Sequence, residues 1–150
     1  MKNNRNSVLT GVTGEYYVVA ELSRMGYIAS ITLRNTKGID ILCSNADATK
    51  TVSIQVKTGT KVQNTWILNE KGENYHSLKF FYVFVNLDSN LPPEYSIVPS
   101  KIVANYITKH HREYLGRLSK KGKKHKDTSM RKFRDSEKKY LNNRNILGLN

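Results

Sequence analysis

Residues 80–87 read Phe-Phe-Tyr-Val-Phe-Val-Asn-Leu, a run too continuously apolar to have a wet side. A strand of this kind belongs in the middle of a sheet that is covered on both faces. It is far shorter than the ~20 residues a membrane-spanning helix needs. The polar amino terminus has no apolar stretch of the signal-peptide type, so a soluble cytoplasmic protein is expected. At 150 residues the chain is long enough for one domain with one core.

Other segments supply the remaining parts of such a core. Over residues 15–25, Val18, Leu22 and Met25 recur at spacings of four and three, which predicts an amphipathic helix ending at Gly26. Residues 27–33 and 39–43 read as two strands joined by the turn-forming Asn35-Thr36-Lys37-Gly38. Residues 51–57 alternate, with Val52, Ile54 and Val56 on one face and Ser53, Gln55 and Lys57 on the other, as in a half-buried strand. Trp66-Ile67-Leu68 fits either a short strand or a packed loop, with Trp66 in the core, and residues 70–77 have no clear period. A further strand is expected at 95–98. A helix follows at about 101–118, capped by Ser100, with Val103, Ile107, Tyr114 and Leu118 on one face. A last helix is expected after residues 127–129, because Met130, Phe133, Glu137, Tyr140 and Leu141 fall near helical spacing. Ile146, Leu147 and Leu149 would anchor the tail on the body.

Charge divides the chain unevenly. Residues 1–100 carry 10 basic and 8 acidic side chains, a net +2, whereas residues 101–150 carry 15 and 4, a net +11. The total of +13 points to a polyanionic partner, of which nucleic acid is the first candidate. The densest run is Lys120, Lys121, Lys123, Lys124 and Lys126. Such a run repels itself and is expected to be mobile without a partner. Arg131, Lys132 and Arg134 follow as further candidates for phosphate contact.

Cysteine and histidine chemistry is largely excluded. Cys43 is the sole cysteine, so it has no disulfide partner within the chain and no second thiolate for a structural zinc site. It lies in a buried-type strand without an adjacent His, which argues against a thiol nucleophile. His110 and His111 are neighbours on a helix and diverge by ~100°, and His110 reads as a packed or interface residue. Any metal must therefore be held by oxygen.

One group of residues can provide those oxygens. Asp40 opens the second strand of a hairpin, and Gln55 and Lys57 share the polar face of the next strand, with the backbone carbonyl of Val56 between them. Neighbouring strands lie ~4.8 Å apart, so Asp40 and Gln55 can approach one another. Glu15 begins the first helix. Taken singly, each has an ordinary explanation: a turn aspartate after Gly, the wet face of a strand, a carboxylate near a helix N-terminus. Their order and spacing together, with the basic excess, favour a site.

Gly14-Glu15, Gly38-Ile39-Asp40-Ile41-Leu42 and Ser53-Ile54-Gln55-Val56-Lys57-Thr58 together resemble the PD-(D/E)xK nuclease superfamily, in its Holliday junction resolvase-like branch. The resemblance spans roughly residues 11–99. It implies an α/β fold with a restriction endonuclease-like core, a central mixed β-sheet flanked by helices, here extended by a basic helical C-terminal segment. The nuclease-like domain would be residues 1–118, and residues 119–150 would dock on it. The resemblance also implies Mg2+ (or Mn2+) bound by Asp40, Gln55 and the Val56 carbonyl with help from Glu15, and a Lys57 that orients or activates water. DNA would be the substrate and a homodimer the assembly. Gln55 stands where the family has Asp or Glu, and an amide oxygen brings no charge to a cation. A catalytically inactive nucleic-acid-binding protein on the same fold is the alternative. The family's crossover helix, between residues 57 and 80, has no helical period here.

Overall fold

The computed structural model describes residues 6–33, 37–88 and 90–150. Helix α1 (Ser7–Arg24) starts earlier than the hydrophobic period suggests, because the Asn6 side chain accepts from the Val8 N–H and caps it. It ends at Gly26 as expected. The Gly26 N–H bonds to Ser23 and the Tyr27 N–H to Leu22, which satisfies the last carbonyls.

Strands β1 (Ile28–Ile31), β2 (Ile41–Ser44) and β3 (Thr51–Gly59) form an antiparallel meander. Of the turn expected between β1 and β2, Asn35 and Thr36 lie outside the described residues. Strand β4 (Thr65–Asn69) and a 3-10 turn at Glu70–Asn74 carry the chain across to β5 (Phe80–Asn86), which lies parallel to β3. The crossover therefore contains a strand and no α-helix. Strand β6 (Glu94–Pro99) pairs antiparallel with β5, completing a five-stranded mixed sheet in the order β1-β2-β3-β5-β6. Helix α2 (Ser100–Gly116) follows directly. Ser100 is not its cap: the residue is inside the helix, and its buried hydroxyl donates to the Ser77 carbonyl.

All seven residues of β5 are buried, so the apolar run at residues 80–87 is the covered strand expected of it. Side chains alternate into two apolar clusters. Phe81, Val83 and Val85 pack with Ile54 and Val56 against Val18 and Leu22 of α1. Phe80, Tyr82 and Phe84 pack on the other face with Trp66, Val103, Ile107 and Phe133. The α/β class with a central mixed sheet flanked by helices is thus the architecture of the chain. No helix among the described residues is long and apolar enough to cross a membrane.

The C-terminal part differs from the helix expected there. Residues Met130–Arg134 form strand β7, antiparallel to β4 in a separate two-stranded sheet. Phe133 and Arg131 face inward while Met130, Lys132 and Arg134 face out, so the period is two. Beyond it, the Asp135 carboxylate accepts from the Lys139 and Tyr140 N–H groups and closes a turn. Positive φ at Lys138 and Asn142 rules out a continuous helix. The only helical piece is a 3-10 turn at Arg144–Leu147. The expected apolar anchor does form: Leu147 and Leu149 are buried in the α1-side cluster. The same tail covers the β6 edge, with Ile97 N–H bonding to Tyr140 and Asn142 N–H to Tyr95.

Strand β7 is part of the core. Phe133 is 2% exposed and its ring stacks on Phe84 at 4.9 Å. Phe133→Ala is expected to cost about 3–5 kcal/mol in urea unfolding, and a loss under about 1 kcal/mol would mean that the pocket collapses around the change or that β7 packs loosely.

Candidate active site

The meander places the expected residues by backbone pairing. Strand β2 meets β3 with Ile41 opposite Ile54, so the next residue back, Asp40, falls beside Gln55. Asp40 is pinned on three sides. Its N–H bonds to the Ile54 carbonyl at 2.8 Å, its own carbonyl accepts from Thr32 N–H at 2.9 Å, and its Oδ2 accepts from Val56 N–H at 2.7 Å. The carboxylate thus takes the place of the backbone partner that β3 loses where β2 ends. Thr32 also donates its hydroxyl to the Ile39 carbonyl at 2.6 Å, which holds the approach to Asp40. Gly38 has φ +68°, and a Cβ there would lie 2.8 Å from the Tyr75 hydroxyl, so this turn needs glycine on both counts.

Alternation does the rest. Gln55 and Lys57 are half-buried and project from the face opposite to the buried Val52, Ile54 and Val56. Asp40 shares their face, because its neighbour Ile41 is buried with Ile54 on the other one. A strand residue directs its N–H and C=O to the same side, so the Val56 carbonyl faces the edge where Asp40 captures the Val56 N–H. Asp40, Gln55 and Lys57 therefore share one face of the sheet, beside the edge that the Val56 carbonyl faces.

Glu15 arrives differently, on the helix that covers the other face. It follows Gly14, at which α1 passes so close to β3 that a Cβ would lie 1.9 Å from Thr58 Oγ1. The close crossing fixes Glu15 beside the end of β3, and Glu15 is half-buried there. Among the described residues no three His, Cys, Asp or Glu side chains cluster to hold a metal. The donor set is nonetheless all oxygen, which suits Mg2+ or Mn2+, although with less negative charge than a carboxylate pair would supply.

The basic candidates separate into different roles. Lys120, Lys121, Lys123, Lys124 and Lys126 are all exposed. They ride on a hydrogen-bonded turn in which Ser119 N–H bonds to the Lys123 carbonyl and Gly122 N–H to Ser119. Lys132 and Arg134 are on the outer face of β7. Arg131 is not available for phosphate: it is 7% exposed, ion-paired to Glu73, and donates to the Thr128 and Met130 carbonyls. Nothing in the spacing of Glu73 and Arg131 signals this pairing, which depends on the 3-10 turn meeting β7.

The remaining candidates are structural. Trp66 is 4% exposed against Phe84, as expected of a core residue. Burial pushes the Cys43 thiol up to about 11, so it is not a thiolate at neutral pH. His110 is exposed and stacked on Tyr106, while His111 bonds to Asp127 at 2.8 Å.

No family model and no curated protein matches the chain. Among solved structures it is similar to a Holliday junction resolvase of the archaeal hyperthermophile Archaeoglobus fulgidus, at 14% identity and a TM-score of 0.48, over 84% of each chain. It is also similar to a bacterial homing endonuclease, at 13% identity and a TM-score of 0.47, over 65% of this chain and 67% of that one.

The Gly14 crossing makes a paired test. Gly14→Ala is expected to destabilise by about 1–3 kcal/mol through overpacking on Thr58. Gly11→Ala, where nothing lies within 4 Å, is expected to stabilise by up to ~1 kcal/mol through helix propensity. Urea unfolding of both variants checks it, and equal effects would contradict the close crossing.

Proposed function

We propose that this chain is a divalent-metal-dependent DNA endonuclease, resolvase-like or restriction-like, acting as a homodimer. The observation that carries the reading is the 2.7 Å bond from Val56 N–H to Asp40 Oδ2. It joins the two halves of the motif, bringing the Asp40 carboxylate to the backbone of Val56, between Gln55 and Lys57 on β3.

A phosphodiester resists attack because it is anionic, and Mg2+ or Mn2+ held by Asp40, Gln55, the Val56 carbonyl and Glu15 would supply the charge neutralisation. The Asp40 hydrogen bond orients the carboxylate before any ligand arrives, which lowers the reorganisation needed at the moment of reaction. Lys57 projects from the same face as Gln55. Its ammonium can hold the attacking water by a hydrogen bond to oxygen, or stabilise the developing charge on the phosphoryl group. In-line attack would then break the P–O ester bond. The exposed lysine turn, with Lys132 and Arg134, grips the backbone of the substrate without reading bases.

A second reading has its own support. Gln55 brings no charge, which leaves Asp40 as the one carboxylate of the Asp40, Gln55 and Lys57 set and fits a protein that binds nucleic acid on this fold without cutting it.

Asp40→Asn keeps an acceptor for Val56 N–H and removes the charge. It is expected to abolish cleavage of supercoiled, linear or branched DNA in Mg2+ or Mn2+ while retaining fold and DNA affinity. Lys57→Ala should behave alike. A wild-type protein that binds all these substrates and cuts none selects the second reading. Gln55→Glu should strengthen the metal response, and its loss would remove Gln55 from the ligand set. With roughly six phosphates neutralised, affinity should fall ~10³-fold between about 50 and 200 mM salt; a flat response would overturn the nucleic-acid reading of the basic residues.

A further inference from the structure

A cleft of about 420 Å³ opens between the C-terminal half of α2 and β7, away from the Asp40 corner in sequence and in lining. Its walls include Tyr106, His110 and Tyr114 from the helix, Arg117 just beyond it, and Lys132 and Arg134 from the strand. Two stacked tyrosine–histidine pairs stand here: Tyr106 with His110 at 4.1 Å, and Tyr114 with His125 at 4.0 Å. The second pair, together with the bond from His111 to Asp127, draws the lysine turn onto α2, so that Lys124 and Lys126 flank a residue packed on the cleft wall.

Charge in the cleft is unbalanced. Arg117 is 3.5 Å from the Glu113 carboxylate and Arg131 is paired with Glu73. Lys132 and Arg134 have no carboxylate partner among the described residues, and Arg134 uses only its Nε, on the Thr65 hydroxyl at 3.1 Å. Cations without counter-charges beside the exposed rings of Tyr114 and His110 form the arrangement that holds unpaired bases: phosphates on the cations, a base on a ring face. A duplex, whose bases are stacked on each other, gains nothing from the rings.

We propose that this cleft seats a single-stranded segment of DNA, with phosphates on Lys132 and Arg134 and a base against the tyrosine–histidine rings. The inference rests on the nucleic-acid reading above, though not on catalysis. Its experiment is fluorescence anisotropy of the intact chain in EDTA, with a short labelled oligothymidine and a duplex as the two probes. Tyr114→Ala is expected to weaken the single strand by about 5- to 100-fold and the duplex by no more than roughly twofold. Tyr114→Phe should restore binding, since a phenyl ring still stacks. Lys132→Ala, on the exposed face of β7, should also weaken the single strand and lower its salt dependence.

Equal losses on both probes, or none on the single strand, would overturn the proposal. So would displacement of the strand by thymidine monophosphate as effectively as by oligothymidine, which would make the cleft a free-nucleotide site. An acidic peptide binding as tightly would make it a protein site. If the wild-type chain binds duplex but the single strand ignores all three variants, this inference alone fails. If it binds neither probe, the nucleic-acid function fails with it.

Discussion

The burial of β5 on both faces is the constraint from which the rest of the structure follows. A strand with seven consecutive buried residues requires cover above and below the sheet, because any uncovered stretch would put Phe80, Tyr82 and Phe84 or Phe81, Val83 and Val85 into water. On one side the cover is α1 with the tail residues Leu147 and Leu149. On the other it is α2 with Trp66 and Leu68 of β4 and Phe133 of β7. Each cover also carries a functional candidate, Glu15 on the first and Lys132 and Arg134 on the second. The hydrophobic requirement and the placement of charge are therefore met by the same elements.

The corner that holds Asp40 arises where that regularity ends. Strand β2 stops pairing at Ile41, and β3 continues for five residues past Ile54 to Gly59. A strand that outruns its neighbour exposes backbone groups that must find partners. Asp40 meets one of these needs through its side chain, at Val56 N–H. The carboxylate is consequently fixed by the same shortfall that leaves the Val56 carbonyl facing an open edge. The proposed metal-binding corner and the unpaired backbone at a strand end are, in this place, the same arrangement.

Much of this was legible in the sequence, and the exceptions have physical causes. The alternation of Val52, Ile54 and Val56 with Gln55 and Lys57 settles which side chains share a face, whatever the exact strand ends. The apolar period of Val18, Leu22 and Met25 marks only the later turns of α1, which starts at Ser7; Gly14 is in the helix because only glycine permits the approach to Thr58. The β7 segment was misread as helix because Arg131 was counted as a surface cation. Counted as buried, it shares the inner face with Phe133 while Met130, Lys132 and Arg134 point outward, and the period becomes two. That burial depends on Glu73, nearly sixty residues away in the chain, and no local pattern contains it. The Asp40–Val56 bond was likewise invisible, since it depends on register rather than on composition.

Net charge treats Arg131, Lys132 and Arg134 as equals, yet the pleat separates them. Arg131 is desolvated beside Glu73, where removing Glu73 would strand the guanidinium charge in the interior. Lys132 and Arg134 keep their charge in the solvent and carry no such constraint. The outward residues nevertheless sit on a strand whose inward Phe133 stacks on Phe84, and Phe84 is the register partner of Lys57 on β3. The cations proposed to grip a polyanion and the lysine proposed to act on it are thus linked through the Phe84–Phe133 stack. A close-packed layer of this kind has little room for independent movement of its two sides. The basic C-terminal segment is better regarded as a wall of the body than as an arm attached to it, and its cations present their charge at positions set by the core.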